Sequence, residues 1–196
     1  ETADDSYILG YTTTGFYDLV LNENGDGFTV LDEMAVGRPE DVTQAYSGRF
    51  GIAPGETARA WRLQLNPDAC WENGEAIDAD TYLYAYQQLL DGKMMNRRAD
   101  SVYAGEFAIV GAKDYLYGKV GWEQVGIIKE GPYQLVLITT SPVRDPDFYV
   151  PYYLMDTYLV YEPLWESCKT FFDSKGNVVS RENGDIASIT TNYCTS

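Results

Sequence analysis

Apolar and polar residues alternate one by one along residues 60–66. Trp61, Leu63 and Leu65 fall on one side, and Arg62, Gln64 and Asn66 on the other. A period of two predicts a strand with one buried face. Pro67 and the turn at residues 68–70 end it, and residues 71–77 form a further short turn. Asp78 then stands where a helix over residues 82–90, closed by Gly92, needs a side-chain acceptor for its first free N–H groups. Asp80 complements the positive end of the same helix. A second alternating pattern spans residues 125–138. Two β-branched runs flank Lys129, Glu130, Gly131 and Pro132, which predicts a hairpin.

Shorter patterns fill in the rest. Residues 16–21 suit a helical turn or a short strand, and Asn22 to Gly27, with Asn-Gly and Asp-Gly steps, reads as a turn. Residues 28–35 give a strand or short helix, and Pro39 with Glu40 and Asp41 opens a short helix. Residues 47–56 form a loop, and the basic residues 93–98 an exposed connection. Residues 99–119 read as helix broken near Gly105 or Gly111. A helix follows from Asp147, with Tyr152 to Met155 as its apolar face, then an exit strand at residues 160–162. A last helix over residues 164–172 buries Leu164, Trp165, Cys168, Phe171 and Phe172 at three-to-four spacing. Turns are predicted at residues 173–177 and 183–185, and fraying at residues 1–6. The order of elements is that of an α+β fold. It predicts one domain over residues 1–196, with a small mixed or antiparallel sheet and helices packed mainly on one side.

Composition narrows the function. The 196 residues carry 30 acidic and 14 basic side chains, a net charge of −16. No Lys/Arg patch suits a phosphate backbone, so nucleic acid is excluded as a partner. An acidic surface favours cationic solutes slightly. No run of eighteen apolar residues is present to span a membrane. The chain opens at Glu1 with no signal region ahead of it, which reads as a mature or excised piece. Histidine is absent, which removes Ser-His-Asp and Cys-His nucleophiles and the commonest zinc ligand. Cys70, Cys168 and Cys194 are far apart and form no Cys-x-x-Cys pair; the expectation is three reduced, buried thiols and no metal, with one disulfide and a free thiol as the alternative. The loop at residues 22–27 lacks EF-hand spacing and its closing Glu, so a plain turn is expected there. No internal repeat or low-complexity run occurs. Tyr is abundant, with 17 residues, which suits recognition surfaces and half-buried sheet faces alike.

Trp71, Asn73, Gly74, Glu75, Ile77, Ala79, Asp80, Tyr82, Tyr84, Tyr86, Gln87, Leu89 and Leu90 resemble a Trp-x-(Asp/Asn)-Gly segment of the family 5 extracellular solute-binding proteins. These are the oligopeptide, dipeptide and nickel receptors of ABC importers. Asp80 follows Ala79 directly, where many members insert a residue. A second block, Gly111, Ala112, Asp114, Tyr115, Gly118 and Lys119, resembles that family's Gly-Ala-x-(Asp/Glu)-Tyr-x-x-Gly-Lys segment. The hairpin at residues 125–138 and the segments at residues 16–21 and 190–196 follow in family order.

The resemblance implies a subdomain of one lobe of a periplasmic-binding-protein type II-like receptor, whose two lobes close on a ligand. It implies a non-enzymatic, monomeric substrate-binding component without cofactor, working with ABC permease subunits, for oligopeptides above all. The place implied is the outer face of the cytoplasmic membrane, lipid-anchored, or the periplasm. Tyr103 sits where peptide-binding relatives carry a Tyr facing the ligand cleft, and is the expected ligand-binding residue; the competing reading is an aromatic packed on the lobe. Two other classes stay open. An acid-only cell-surface glycoside hydrolase or carbohydrate module would use Asp78 with Asp80, or Asp145 with Asp147, beside Trp71 or Phe148. A protein-interaction module would use an exposed Tyr surface.

Overall fold

The computed structural model describes residues 14–94, 96–157 and 159–168, with two short strands beyond, β7 (Phe171–Phe172) and β8 (Val178–Val179), paired antiparallel. The sequence readings for residues 1–13, 173–177 and 183–196, Cys194 among them, lie outside the described residues, as does the side chain of Cys168.

A four-stranded antiparallel sheet occupies the middle, in the order β3-β4-β6-β5. Its strands are β3 (Glu40–Asp41), β4 (Ala60–Gln64), β5 (Ile127–Gly131) and β6 (Gln134–Ile138). The register sets Trp61 opposite Leu137, Leu63 opposite Leu135, and Ile127 opposite Leu137. Residues directly opposite one another share a face, so these apolar side chains form one sheet surface. On it pack α1 (Ala79–Leu89), α2 (Asp100–Tyr103), α3 (Ala112–Leu116) and α4 (Pro146–Tyr153), through Ala79, Tyr82, Val102, Ala112 and Val150. Ala60, Val136 and Ile138 face the other way. There Val42, Tyr46 and Ile52 cover them from a 3-10 turn, Thr43–Tyr46, and the loop after it. Burying both faces unequally, helices on one and a loop on the other, is the α+β arrangement the element order predicts.

Local chemistry explains the starts and stops. One carboxylate oxygen of Asp78 accepts from the backbone N–H of Asp80 at 3.0 Å and of Thr81 at 3.1 Å. Thr81 Oγ1 accepts the Asp78 N–H in return, at 3.3 Å, closing a capping box at the start of α1. Residues 16–21 resolve into a strand, β1 (Tyr17–Leu21), paired antiparallel with β2 (Phe28–Asp32) across the Asn22 turn. Gly25 in that turn takes φ of 68°. Phe16 ties this hairpin to the body, its ring stacking on Tyr82 at 4.5 Å and its N–H donating to Leu154 O. The buried Arg59 spans three carbonyls, those of Thr139, Gly51 and Phe50, and so fastens the covering loop to the sheet end.

Several expectations give way. Glu40 and Asp41 do not open a helix; they pair with β4, and the helical turn begins at Thr43, whose N–H donates to Asp41 Oδ1. Met94, in the connection expected to be exposed, is buried at 3%. Residues 160–162 are not a strand: Glu162 begins α5 (Glu162–Cys168), and Phe171 and Phe172 leave helix for β7. Leu164 is 39% exposed rather than part of a buried stripe. Cys70 is a free, exposed thiol at an isolated antiparallel bridge to Ala76, not a buried one. The hairpin turn falls one step later than the flanking runs suggest, at Pro132 and Tyr133, with a bulge between Lys129 and Gly131.

Candidate functional site

Where α1, α2 and the end of α4 converge they leave an open cavity of about 470 Å³. Ala85, Tyr86 and Leu89 supply the α1 wall, a grouping that the 3.6-residue period puts on one helix side. Two glycines shape the opposite wall. Gly105 and Gly111 both adopt left-handed backbone, φ of 81° and 73°, so what reads as one helix becomes two short ones with a bend between. Within the bend Ile109 N–H donates to Val102 O at 2.8 Å, and Phe107 and Ile109 turn into the cavity. Tyr152 and Tyr153 of α4, with Asp156 and Thr157 just past its end, close the third side.

The lining is aromatic and tied down. The rings of Phe107 and Tyr153 stack at 5.6 Å, and Tyr153 continues into Tyr149 and Tyr152 at 6.0 and 5.4 Å. Tyr153 Oη donates to Glu106 at 2.9 Å. Its phenol is raised from the ordinary tyrosine value by burial first and by that carboxylate second. Burial pushes the Tyr86 phenol up to about 12, against a lowering hydrogen bond from Thr157. Both therefore stay protonated at neutral pH, as hydrogen-bonding hydroxyls on apolar rings. Among the described residues, no group of three or more His, Cys, Asp or Glu could hold a metal ion.

Tyr103 stands at the end of α2, half-buried against the main core, beside the cavity rather than in its wall; its neighbour Val102 lines the space. Lys113 Nζ lies 5.8 Å above its ring. The Trp71 turn makes structural contacts: Asn73 Nδ2 donates to Tyr161 Oη at 2.7 Å, and the Trp71 and Tyr161 rings approach to 5.4 Å. Of the two candidate acid pairs, the first is taken up by structural contacts. Asp78 caps α1 and Asp80 pairs with Lys129 at 2.6 Å. Asp145, in left-handed backbone, opens α4, and Asp147 sits exposed in its first turn. Sequence reasoning singled out Tyr103 and passed over Tyr86, Phe107 and Tyr153. The signal for them was the tyrosine spacing at residues 82–86 and 149–153, which core packing explains equally well.

A helix-backed antiparallel sheet of this kind, flanked by a tyrosine-lined hollow, has counterparts among known proteins. The chain is 28% identical over 85 residues to the periplasmic oligopeptide-binding protein OppA of Haemophilus influenzae, a match covering 43% of this chain and 15% of that relative. Its fold aligns with that of Haemophilus influenzae OppA complexed with RPPGFSPFR at a TM-score of 0.62 and 18% identity, over 86% of this chain and 28% of that one. It aligns with the Escherichia coli murein tripeptide binding protein MppA at 0.62 and 18% identity, over 91% of this chain and 30% of that one. The pheromone receptor PrgZ gives 0.63 and 18%, over 85% and 28%. No family model matches. Sequence and fold thus bear out the resemblance to the family 5 solute-binding proteins. The chain spans less than a third of the length of the relatives named, all of which are binding proteins rather than enzymes by description.

Proposed function

We propose that this chain is part of one lobe of the peptide-capturing component of an ABC importer, forming one α+β unit within it. The observation that carries the reading is the joint one: a fold shared along 85% or more of the chain with peptide-binding receptors, and a sequence match to one of them. The similar protein from Haemophilus influenzae is described as periplasmic. Among the described residues no helix is long and apolar enough to cross a membrane. The description of that relative supports a place outside the cytoplasmic membrane, free in a periplasm or held there by a lipid anchor. Capture is non-covalent: main-chain hydrogen bonds hold an extended peptide, closure of two lobes buries it, and permease subunits receive it. Nothing in that cycle needs a cofactor. Tyr103, half-buried beside the cavity, presents its ring at the edge of the peptide's path.

The test is a thermal-shift titration of this chain, and of the longer receptor containing it, with a mixed tripeptide-to-pentapeptide pool. Ligand at a hundred times its dissociation constant stabilises the bound state by about 2.7 kcal/mol. The receptor is expected to shift, and Tyr103→Ala in it to weaken binding. A receptor indifferent to every peptide in the pool overturns the reading.

A further inference from the structure

The cavity between α1, α2 and α4 has an aromatic lining and one sign of charge. Asp156 is in its wall, and Glu106 is held by the hydroxyl of Tyr153, which is also in the wall. Among the described residues that line the cavity none is Lys or Arg. Rings next to it already carry cations. Arg144 lies 5.3 Å over Tyr149, whose ring is 6.0 Å from that of Tyr153, and Lys113 lies 5.8 Å over Tyr103. Ring faces attract cations, most strongly where water is displaced, and the chain's net charge of −16 raises the local concentration of positive solutes.

We infer that this cavity is a subsite for a cationic aliphatic group, the side chain of a lysine or a comparable alkylammonium on the captured solute. The assignment names the substrate class for the receptor reading above and rests on it for the source of the ligand. The alkyl stem lies along Leu89, Val102 and Ile109. The ammonium sits among the rings of Tyr86, Phe107 and Tyr153, with Asp156 and Glu106 balancing its charge. A carboxylate in the same place would meet two anions and, among the described lining residues, no Lys or Arg.

The cavity is tested apart from the peptide. The 196-residue chain is titrated with n-pentylammonium, n-pentanol and n-pentanoate, three probes of nearly one shape. Binding is followed by NMR at the tyrosine rings and at the methyls of Leu89, Val102 and Ile109. Pentylammonium is expected to bind about tenfold more tightly than pentanol, within the range a desolvated cation–ring contact gives, and pentanoate most weakly. The double variant Asp156→Asn, Glu106→Gln is expected to reduce that difference to the share the rings alone supply, and to leave pentanol binding unchanged. Equal binding of the ammonium and the alcohol, or shifts confined to residues away from the cavity, overturns the assignment. A second arm offers Ala-Lys-Ala, Ala-Ala-Ala and Ala-Glu-Ala to the longer receptor, with the lysine peptide expected to lead. If the three bind alike, the receptor reading stands and the cationic subsite falls. If none binds while pentylammonium still prefers the cavity, the subsite stands and the receptor reading falls.

Discussion

Glu130→Gln removes one charge from the junction that holds the covering loop to the sheet. Glu130 Oε2 lies 2.6 Å from Arg62 Nε, and its other oxygen accepts from Tyr46 Oη at 2.7 Å. Arg62 also reaches Glu40 on β3 at 2.9 Å. One carboxylate therefore connects β5, β4 and the 3-10 turn. Hydrogen bonds to charged groups contribute about 1.5–3 kcal/mol. The side chains of Arg62 and Glu130 keep 28% and 23% of their exposure, which screens the charge, and the glutamine amide retains a hydrogen bond. The loss at pH 7 should be about 1–2 kcal/mol. The Arg62 hydrogen bond foremost, against burial and with Tyr46 helping, holds the Glu130 carboxyl below its ordinary value of 4.5. A group that releases its proton more readily folded than unfolded adds stability above the unfolded value. That stability is lost as pH falls through the lower folded value. The difference between native chain and variant should thus be full at neutral pH and shrink steadily below 4.5. Urea unfolding followed by tryptophan fluorescence, at pH 7 and again near pH 3, measures both ends. A loss below about 0.3 kcal/mol at pH 7, or an equal loss at both pH values, would refute the reasoning.

Two further substitutions probe the backbone. Asp78→Ala strips the acceptor from two N–H groups at the start of α1 and should cost about 1 kcal/mol by denaturant unfolding; an unchanged midpoint would mean that water serves as well. Gly111→Ala would place a methyl 2.2 Å from Gln124 O in left-handed backbone, whereas Gly118, also left-handed, has open space beside it. Gly118→Ala should lose about 1–2 kcal/mol from conformation alone, and Gly111→Ala distinctly more. Equal losses at the two positions would show that the backbone turn at Gln124 yields.

Legibility in the sequence followed the length of each pattern. The alternation through Trp61, Leu63 and Leu65 named both the strand and its buried face, because one face meets helices and the other a thinner cover. Asp78 announced a helix start, since an acidic side chain before an aromatic run has few other uses. Residues 39–43 misled because Pro and acidic residues suit a first turn and an edge strand alike. Pairing of Glu40 with Arg62, invisible in a local window, decides between them. Residues 164–172 misled for a related reason: apolar spacing of three and four cannot register that Phe171 and Phe172 find partners in Val178 and Val179. The cavity was least legible. Tyr86, Phe107 and Tyr153 come from three separate elements, brought together by the bend between Gly105 and Gly111. A tyrosine on a helix reads as packing until its neighbours across space are known.

The sheet order has a consequence for how the chain is made. β4 is bordered by β3, close behind it in sequence, and by β6, which leaves the ribosome far later; Arg59 beside β4 bonds to Thr139 beside β6, 80 residues on. During synthesis the apolar face of Trp61, Leu63 and Leu65 has no sheet neighbour on that side while α1, α2 and α3 emerge. Pairings this distant are slow to close, and an unpaired strand is open to association with other chains until they do. A chaperone or export factor that reads extended apolar segments would therefore find its best site on the nascent chain at residues 60–65, and would lose it once Ile138 has emerged and β6 has docked.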